Sequence, residues 1–594
     1  MNDDVSVPRL LAQTRIASIA LSAGGFRLVS GHGLKALDIA YETYGTLNAD
    51  RSNAIFICSP LTTDAHAAGW HEGEAKPGWW DDMIGPGKAI DTDRYFVIAQ
   101  NMLGGCKGTT GPGSIDPGTG KPYGSSFPKI TVEDMVHAQR LLVEYLGIDV
   151  LEAVIGGSMG GMQALQWSVS YPDKLRKCLC IAASASLSAQ SLGFEVIGRK
   201  VIVNDPNFHG GDYYDKPSRP DGGLAYARMI GHITYLSAVA MHQKFGRNVR
   251  PGAESTDLES GFQTGFEVES YLNYQGDAFV KRFDANSYLH ITYAMDRFDL
   301  VSRHGSLENA FRNASAEFLL VALSSDWLFP PEQTRELGKT LLKLKKVASV
   351  AELHSPHGHD AFLLEVEHLS AVIRGFLHQP ALNAPRPLPK RVRNGGASVE
   401  FDALAKLIKP GSHILDLGCG DGSFVDALFW ARDVTGIGID RDLHHVVQCL
   451  RKNVPVLQAN VDHGLAFFEN DSFDYAVLNR TLQEMKHPRD VLREILRVAP
   501  RAIVAFPNFG HVGNRISLML RGSMPVTRAL PHHWYDTPNI HLFSLDDFRD
   551  LCKEEGYTIE KLLCVAKSGR SKLLVALGFQ NLGAEWVVAQ ISRG

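Results

Sequence analysis

The stretch LEAVIGGSMGGMQALQW, residues 151–167, constrains the fold of this 594-residue chain more than any other feature. An apolar run of strand type leads into four glycines around Ser158, and apolar residues at helical intervals follow. Glycine destabilises regular elements, so this grouping indicates a turn that needs backbone freedom. A buried strand that passes through a tight turn into a helix is typical of a parallel α/β sheet. The glycines either allow close packing or expose Ser158 as a nucleophile.

The first 377 residues alternate short apolar runs with helical stretches, which predicts an α/β fold. Thr131 and Asp134 have the spacing of a capping box and predict the start of a helix. The aromatic-rich region from about 187 to 305 breaks the alternation and is predicted to be an inserted, mostly helical lid. Buried parallel strands are predicted at residues 53–60, 95–101, 151–157, 177–183 and 317–326.

A proline-rich, basic stretch, HQPALNAPRPLPKRVRNGG, occupies residues 378–396 and predicts a linker. A first domain at 1–377 and a second at 397–594 follow from this boundary. The second domain begins with a predicted helix at 401–408. Further strands are predicted at residues 414–417, 434–440, 473–479 and 501–508, which makes a second, smaller doubly wound sheet.

The composition excludes several classes of protein. The chain is 44% hydrophobic and 21% charged, as is ordinary for a globular protein, and its net charge of −5 gives no reason to expect a nucleic-acid partner. No apolar run is long enough for a membrane span, and the acidic N-terminus is unlike a signal peptide. Eight cysteines without regular spacing, two of them in an apolar strand at Cys178 and Cys180, predict a reducing cytoplasm rather than a disulfide framework.

Ser158 is the centre of a G-x-S-x-G motif between strand and helix, which predicts a nucleophile elbow. The helix N-terminus would offer amides and positive potential to an oxyanion. Such elbows order their triad as serine, acid, histidine. Asp326 follows a predicted strand and is the candidate acid, although a turn or helix cap before two prolines would also explain it. In HSPHGHDAFL, His359 is the candidate base, while His354 and His357 remain alternatives as loop residues or metal ligands.

Seven motifs then carry a family resemblance: YETYGTLN, NMLGGCKGTTGPGSIDP, GGSMGGMQALQW, ARMIGHITYLS, RFDANSYLHIT, SDWLFPPEQ and GHDAFL. Through them, residues 15 to 377 resemble the homoserine O-acyltransferases of methionine biosynthesis, in the α/β-hydrolase superfamily. The resemblance implies a ping-pong acyl transfer from coenzyme A to homoserine, a homodimer, and no tightly bound cofactor or metal. It implies these roles: Ser158, Asp326 and His359 as triad, Leu61 and Met159 as oxyanion hole, Arg228 and Arg199 for the substrate carboxylate, and Asp360 for its ammonium.

The acyl group is predicted from one position. Succinyl-using relatives tend to carry an arginine two residues after the catalytic aspartate, where this chain has Leu328. An apolar residue suits an acetyl group and would leave a second carboxylate without a partner. Acetyl-CoA is therefore the predicted donor, with a succinyltransferase or an esterase as the alternatives.

The stretch ILDLGCGDGSF runs from a strand into a glycine-rich turn with Gly418, Gly420 and Gly422. This spacing differs from the G-x-G-x-x-G of dinucleotide-binding proteins. Asp440 ends the next predicted strand, where a carboxylate can accept hydrogen bonds from ribose hydroxyls. The pattern resembles class I S-adenosylmethionine-dependent methyltransferases, with Asp416 near the methionine ammonium or acting only as a turn residue.

More narrowly, residues 398 to 594 resemble the methionine-biosynthesis protein often encoded beside the acyltransferase, through LNRTLQEMKHP, FPNFGHVGNR, RGSMPVT and WYDTPNIHLFS. That resemblance implies a supporting role and supplies no methyl acceptor. Three hypotheses stay open for this domain: a methyltransferase, a sensor of S-adenosylmethionine, or a stabiliser of the acyltransferase.

Overall fold

In a computed structural model the chain divides into two compact units, Met1–Leu377 and His378–Gly594. The structure describes residues 10–22, 24–251, 265–378, 399–527 and 529–594. Apart from His378, the predicted linker lies outside the described residues.

The first unit is built on an eight-stranded sheet in the order β1-β4-β8-β5-β9-β10-β11-β12. The strands β8, β5, β9, β10, β11 and β12 are mutually parallel. Strand β4 is antiparallel to both of its neighbours, β1 and β8. Two short ribbons, β2–β3 and β6–β7, lie outside this sheet. The strands are β1 (Arg15–Ser18), β2 (Phe26–Arg27), β3 (Gly33–Leu34), β4 (Asp38–Tyr44), β5 (Ala54–Cys58), β6 (Ile84–Gly85), β7 (Ile90–Asp91), β8 (Phe96–Gln100), β9 (Leu151–Gly157), β10 (Leu175–Ile181), β11 (Glu317–Leu323) and β12 (Ala348–Leu353).

Helices cover this sheet and fill the interval between β10 and β11. Helix α2 packs on β9 and β10, and α10 packs on β11 and β12. The helices are α1 (Val132–Tyr145), α2 (Met159–Ser170), α3 (Ala189–Val203), α4 (Asp221–Tyr235), α5 (Ala238–Phe245), α6 (Glu267–Val280), α7 (Ala285–Asp296), α8 (Leu300–His304), α9 (Leu307–Phe311), α10 (Pro331–Lys343), α11 (Ala361–Leu364) and α12 (Val366–Leu377), with short 3₁₀ turns at Gly124–Ser126, His209–Gly211 and Gly358–Asp360.

All five strands predicted for this unit are present and parallel, within a few residues of their predicted bounds. Their near-continuous burial explains why apolar runs identified them. Helix α1 begins at the predicted capping box of Thr131 and Asp134. Cys178 and Cys180 lie buried in β10 as free thiols. The lid prediction falls on α3 to α8, which are helical among the described residues.

The second unit contains a seven-stranded sheet in the order β15-β14-β13-β16-β17-β19-β18. The first five strands are parallel, and β19 is antiparallel to both β17 and β18. The strands are β13 (His413–Leu417), β14 (Thr435–Asp440), β15 (Val456–Gln458), β16 (Tyr475–Asn479), β17 (Arg501–Pro507), β18 (Tyr557–Val565) and β19 (Trp586–Arg593).

The helices of the second unit are amphipathic, and Leu404, Ile408 and Leu428 pack with the strand residues Ile414 and Val477 in one core. They are α13 (Val399–Leu407), α14 (Ser423–Arg432), α15 (Leu443–Arg451), α16 (Pro488–Val498), α17 (Val512–Arg521), α18 (Leu545–Glu554), α19 (Gly569–Ala576) and α20 (Gln580–Gly583), with 3₁₀ turns at Val461–His463 and Leu482–Glu484. Across the described part of the chain, no helix combines the length and the apolar character that a bilayer crossing requires.

Candidate active site

Ser158 occupies the turn between β9 and α2 in a strained conformation. Its φ of 57° and ψ of −130° lie in a region that non-glycine residues rarely adopt. The turn directs the residue to the carboxyl end of the parallel strands, where open α/β sheets bind ligands. The side chain lies beside a cavity of about 390 Å³. This geometry is that of the predicted nucleophile elbow.

Two glycines make the turn sterically feasible. A Cβ atom on Gly156 would lie 2.1 Å from the backbone of Gly160, and one on Gly160 would lie 2.3 Å from the carbonyl oxygen of Cys58. Both distances are far below any tolerated contact between backbone and a methyl group. Glycine is therefore needed at both positions, because the turn, the helix and the neighbouring strand β5 approach one another closely. Since these glycines have no side chain, Ser158 stays at the surface of the cavity.

His359 and Asp326 form a buried pair in the same unit. Nδ1 of His359 lies 2.6 Å from Oδ2 of Asp326, and the other carboxylate oxygen accepts hydrogen bonds from the amides of Leu328 and Phe329, both at 2.9 Å. The second oxygen is thus satisfied by the backbone just after β11, which fixes the carboxylate. A fixed carboxylate on Nδ1 orients the imidazole and leaves Nε2 available for proton transfer.

The environment of His359 favours its charged form. Burial by itself lowers the pKa of this histidine, but the charge and hydrogen bond of Asp326 and the charge of Asp360 raise the pKa above its ordinary value. The pKa of Asp360 is also raised, chiefly by burial, although His359 and Arg228 act in the opposite direction. His354 is exposed and His357 lies 3.9 Å from Glu365, so neither shares the contact that His359 makes.

The cavity beside Ser158 brings together residues from distant parts of the first unit. Its wall contains the 60–66 loop, the lid helices α3, α4 and α7, and the segment that carries His359. Of the residues predicted from the sequence, the lining includes Leu61, Ser158, Arg228, Leu328, His359 and Asp360. Met159 is the first residue of α2, where helix amides have no partner within the helix.

Two arginines face this cavity around one aromatic ring. The guanidinium groups of Arg228 and Arg282 lie 4.8 Å and 5.1 Å from the ring centre of Phe279. Arg228 donates a hydrogen bond to the hydroxyl of Thr62 at 3.2 Å, and Arg282 donates one to its carbonyl at 2.9 Å. Among the described residues, no carboxylate lies within 4.0 Å of either guanidinium. Two positive charges are therefore held by aromatic and backbone contacts and remain open to an anionic ligand.

Arg282 had no individual signal in the sequence, since nothing there distinguishes it from other basic residues, although it begins the motif RFDANSYLHIT. Arg199 behaves differently from its prediction. It forms an ion pair with Asp296 and does not line the cavity. The structure therefore brings Arg282, rather than Arg199, together with Arg228.

The glycine-rich turn of the second unit is open at Gly420 and packed against side chains at Gly418 and Gly422. Gly418, Gly420 and Gly422 all have positive φ, and a Cβ atom on Gly420 would meet nothing within 4 Å. Asp416 is buried with one carboxylate oxygen that has no hydrogen-bond partner. Burial, with the charge of Asp440, raises the pKa of Asp416 to about 7.

Asp440 ends β14 and holds the turn from the other side. One of its oxygens accepts a hydrogen bond from the amide of Gly420 at 2.9 Å, and the other accepts one from the amide of Asp442 at 2.9 Å. Nδ1 of His445 lies 3.2 Å from the oxygen that faces Asp442, so only the oxygen that faces Gly420 keeps a lone pair for a further donor. The turn, the buried acid and the strand-end acid thus lie toward the carboxyl ends of the neighbouring strands β13 and β14.

Comparison with known proteins places both units. Residues 73–365 match the family model of the alpha/beta hydrolase fold, and residues 398–591 match that of the methionine biosynthesis protein MetW. Over 572 residues the chain is 41% identical to the bifunctional methionine biosynthesis protein MetXA/MetW of Rhodopirellula baltica, an alignment that covers 94% of this chain and 90% of that protein. The chain belongs to this bifunctional MetXA/MetW family.

The first unit of this MetXA/MetW chain has further relatives. It is 54% identical over 350 residues to a homoserine O-acetyltransferase of Methanohalobium evestigatum, covering 59% of this chain and 71% of that protein. It superimposes on the crystal structure of homoserine O-acetyltransferase from Bacillus anthracis with a TM-score of 0.58 and 30% identity, covering 62% of this chain and 98% of that one. Esterase E22 gives a TM-score of 0.56 at 30% identity, covering 62% and 100%. The predicted α/β-hydrolase fold and the family resemblance are confirmed.

Proposed function

We propose that the first unit transfers an acetyl group from acetyl-CoA to the hydroxyl of L-homoserine, giving O-acetyl-L-homoserine and coenzyme A in methionine biosynthesis. The observation that carries this proposal is the buried His359–Asp326 pair, whose imidazole lines the same cavity as Ser158 and two arginines that have no carboxylate partner among the described residues. The relatives named above support it, most strongly the acetyltransferase at 54% identity. Since one structural neighbour is an esterase, the fold alone does not separate transfer from hydrolysis.

In the first half-reaction, Nε2 of His359 takes the proton of the Ser158 hydroxyl as its oxygen attacks the thioester carbonyl. The amides of Leu61 and Met159 stabilise the oxyanion, aided by the N-terminus of α2. The C–S bond then breaks, His359 returns the proton to the departing sulfur, and the acetyl group stays on Ser158. Asp326 stabilises the imidazolium in between and is not itself protonated.

In the second half-reaction, the homoserine hydroxyl replaces the serine as nucleophile. His359 removes the proton of the homoserine hydroxyl while the homoserine oxygen attacks the acetyl carbonyl. The C–O bond to Ser158 then breaks, and His359 returns the proton to the serine oxygen. The free enzyme is regenerated with atoms and charges balanced. Water in the same position would give hydrolysis, so the lid helices must exclude it while homoserine is bound.

Homoserine is a small zwitterion, and the cavity offers charges of both signs. We assign Arg228 to its carboxylate, because a guanidinium can bind a carboxylate through paired hydrogen bonds. Asp360 then faces the ammonium group. Arg282 adds a second positive charge at the same wall and replaces Arg199 in this assignment.

The acyl preference rests on Leu328, which lines the cavity and is 7% exposed. An apolar wall suits a methyl group and gives a succinyl carboxylate no partner at that position. Arg282 is the residue that could weaken this argument, since it is a cation in the same cavity. A succinyltransferase is therefore the alternative that the experiment must separate.

The test follows release of free thiol from acetyl-CoA and succinyl-CoA, each with and without homoserine, with Ser158→Ala as the inactive control. The proposal requires rapid release only with acetyl-CoA and homoserine together. Faster turnover of succinyl-CoA would overturn the acyl assignment. Equal thiol release without homoserine would identify a hydrolase instead.

For the second unit we propose binding of S-adenosylmethionine and a supporting or regulatory role toward the acetyltransferase. The orphan oxygen of Asp416, the open side of Gly420 and the strand-end carboxylate of Asp440 suit an ammonium, a close backbone approach and a ribose respectively. When bound, that ligand would supply an activated methyl group. Asp416 and Asp440 would only hold and orient it, and no described side chain identifies an acceptor. An active methyltransferase is the second candidate.

Titrating S-adenosylmethionine into the full chain by calorimetry, and into the thiol-release assay, tests this role. Binding that Asp416→Ala weakens, with a change in acetyl-transfer rate, supports a sensor. Absence of binding would remove both the sensor and the methyltransferase. We also expect a cytoplasmic homodimer, to be checked by fractionation and light scattering.

A further inference from the structure

A glutamate and two histidines form a compact cluster away from the triad. Glu42 lies on β4 and is fully buried, while His66 and His71 lie on the loop between β5 and β6. Nδ1 of His66 is 3.1 Å from one oxygen of Glu42, and Nε2 of His71 is 2.8 Å from the other. The two imidazole rings are stacked with their centres 3.8 Å apart. One ligand atom from each residue lies within 4.8 Å of the other two.

The remaining lone pairs of the carboxylate are also occupied. Thr14 donates a hydroxyl hydrogen bond to the oxygen that faces His71, at 2.7 Å, and Tyr44 donates one to the oxygen that faces His66, at 2.8 Å. The carboxylate is therefore held rigidly, with each oxygen bound by a hydroxyl on one side and directed toward an imidazole on the other.

The far sides of the two rings share a second carboxylate. Oxygens of Glu74 lie 3.8 Å from Nε2 of His66 and 3.5 Å from Nδ1 of His71. Metal-binding histidines commonly direct their second nitrogen toward a carboxylate, and metal-binding carboxylates are in turn hydrogen-bonded. The two carboxylates bring two negative charges to this cluster, which one divalent cation would neutralise. Both features fit a metal site better than an ordinary buried ion pair, which needs only one histidine.

We propose that Glu42, His66 and His71 bind a divalent transition-metal cation, with Zn²⁺ the best match to a mixed nitrogen and oxygen ligand set. Three protein ligands leave a fourth position for water or a further ligand. No sequence motif marks this site, because these residues lie 24 and 5 positions apart and only the pairing of β4 with the rest of the sheet brings them together.

The position of the site gives it a structural role. His66 also lines the cavity beside Ser158, and the same loop carries Leu61 and Thr62. Tyr44 already holds this loop by accepting hydrogen bonds from the amides of Ala67 and Ala68. A bound cation would fasten the loop to β4 a second time and so fix the segment that faces the nucleophile.

The experiment measures metal binding directly on the full chain and needs no substrate, so its outcome is separate from that of the proposed function. Chelator-treated protein is titrated with Zn²⁺ by competition against a chromogenic chelator, and with Co²⁺ to record visible ligand-field bands. We expect about one Zn²⁺ per chain, a Co²⁺ spectrum of low coordination number, and a rise in thermal midpoint with Zn²⁺.

Matched variants decide whether this cluster is responsible. His71→Asn should weaken Zn²⁺ binding by about 100-fold or more and abolish the Co²⁺ bands, and Glu74→Gln should weaken binding by about 10-fold, as outer partners usually do. His368→Asn is the control, since His368 lies on the surface 3.4 Å from Glu365. No uptake by the unmodified protein, or equal affinity in His71→Asn and His368→Asn, would overturn the proposal and leave a purely hydrogen-bonded cluster.

Discussion

The two glycine-rich turns of this protein, after β9 and after β13, follow the same strand–turn–helix plan and differ in how they are filled. Beside Ser158, Gly156 and Gly160 are pressed against backbone, so that a Cβ on Gly160 would lie 2.3 Å from a carbonyl oxygen. In the second turn a Cβ on Gly418 would lie 2.5 Å from the side chain of Thr481, whereas one on Gly420 would meet nothing within 4 Å.

The polar groups differ in the same way. Both oxygens of Asp326 are hydrogen-bonded, to His359 and to two amides, whereas one oxygen of buried Asp416 has no partner. A site for covalent chemistry needs its partners in place before substrate arrives. A site for a bound ligand leaves space and an unmet polar group for the ligand to satisfy. The same local sequence pattern therefore occurs in two sites that differ in their surrounding packing.

The largest expected effect tests the completeness of the first site. Ser158→Ala should lower the rate of thiol release by on the order of 10⁴-fold or more, because the acyl-enzyme cannot form without the serine hydroxyl. Ser168→Ala is the control, since Ser168 is buried on the same helix and only bonds the carbonyl of Leu165. A Ser158→Ala enzyme that keeps a tenth of its rate would show that the turn is not the catalytic one.

The next effect tests the unmet polar group of the second site. With its pKa raised to about 7, Asp416 stays protonated in the folded state while the unfolded carboxyl ionises above about 3.8. Its contribution to stability is therefore present below that pH and is lost as the pH rises toward 7. Asp416→Asn should increase the free energy of unfolding at pH 7.5 by up to about 4 kcal/mol, with little change near pH 4.

Denaturant unfolding of both proteins at the two pH values measures this difference. Destabilisation by Asp416→Asn at pH 7.5 would mean that the carboxylate is satisfied after all. It would also remove the contrast between the two turns.

A third prediction compares packing at the glycines. Gly160→Ala should destabilise the first unit by about 3 kcal/mol, because the methyl group meets the backbone of β5. Gly420→Ala should cost only about 1 kcal/mol, from its positive φ of 55°. Thermal unfolding checks both, and equal losses would contradict the view that Gly160 is more tightly packed than Gly420.

The smallest effect is on pH dependence. Because Asp326 and Asp360 raise the pKa of His359, kcat/KM should fall on acidification through a pKa above the ordinary histidine value of 6.5. Asp360→Asn should move this limb to lower pH by a fraction of a unit. Glu365→Gln is the control, because the carboxylate of Glu365 contacts His368 instead, and it should leave the acidic limb of kcat/KM in place. A limb that Asp360→Asn does not move would exclude its charge from the base's environment.

Much of the fold followed from local pattern. The five strands predicted in the first unit are buried on both sides, so their apolar runs were visible in the sequence. The antiparallel strands β4 and β18 were missed, since mixed polar residues such as those of DIAYETY do not give a continuous apolar run. Strand β19 was missed although it begins with the apolar run WVVA. The serine, acid and histidine could be named because the elbow dictates their order along the chain.

The rest of the candidate site depends on long-range packing. Arg282 joins Arg228 only because α6 presents Phe279 to both guanidinium groups. Arg199, one helix away, turns to Asp296 instead. The neighbouring helices decide which way a side chain on the lid points. This direction cannot be predicted from the spacing of residues in a single sequence.

The sequence by itself determined the two α/β units, the strained serine turn and the candidate triad, since these depend on periodicity, glycine and chain order. Tertiary structure alone decided which cations face the cavity, which buried acid lacks a partner, and the meeting of Glu42 with His66 and His71. Those features join residues far apart in the chain, so their energies depend on distances and burial that exist only after the sheet has formed.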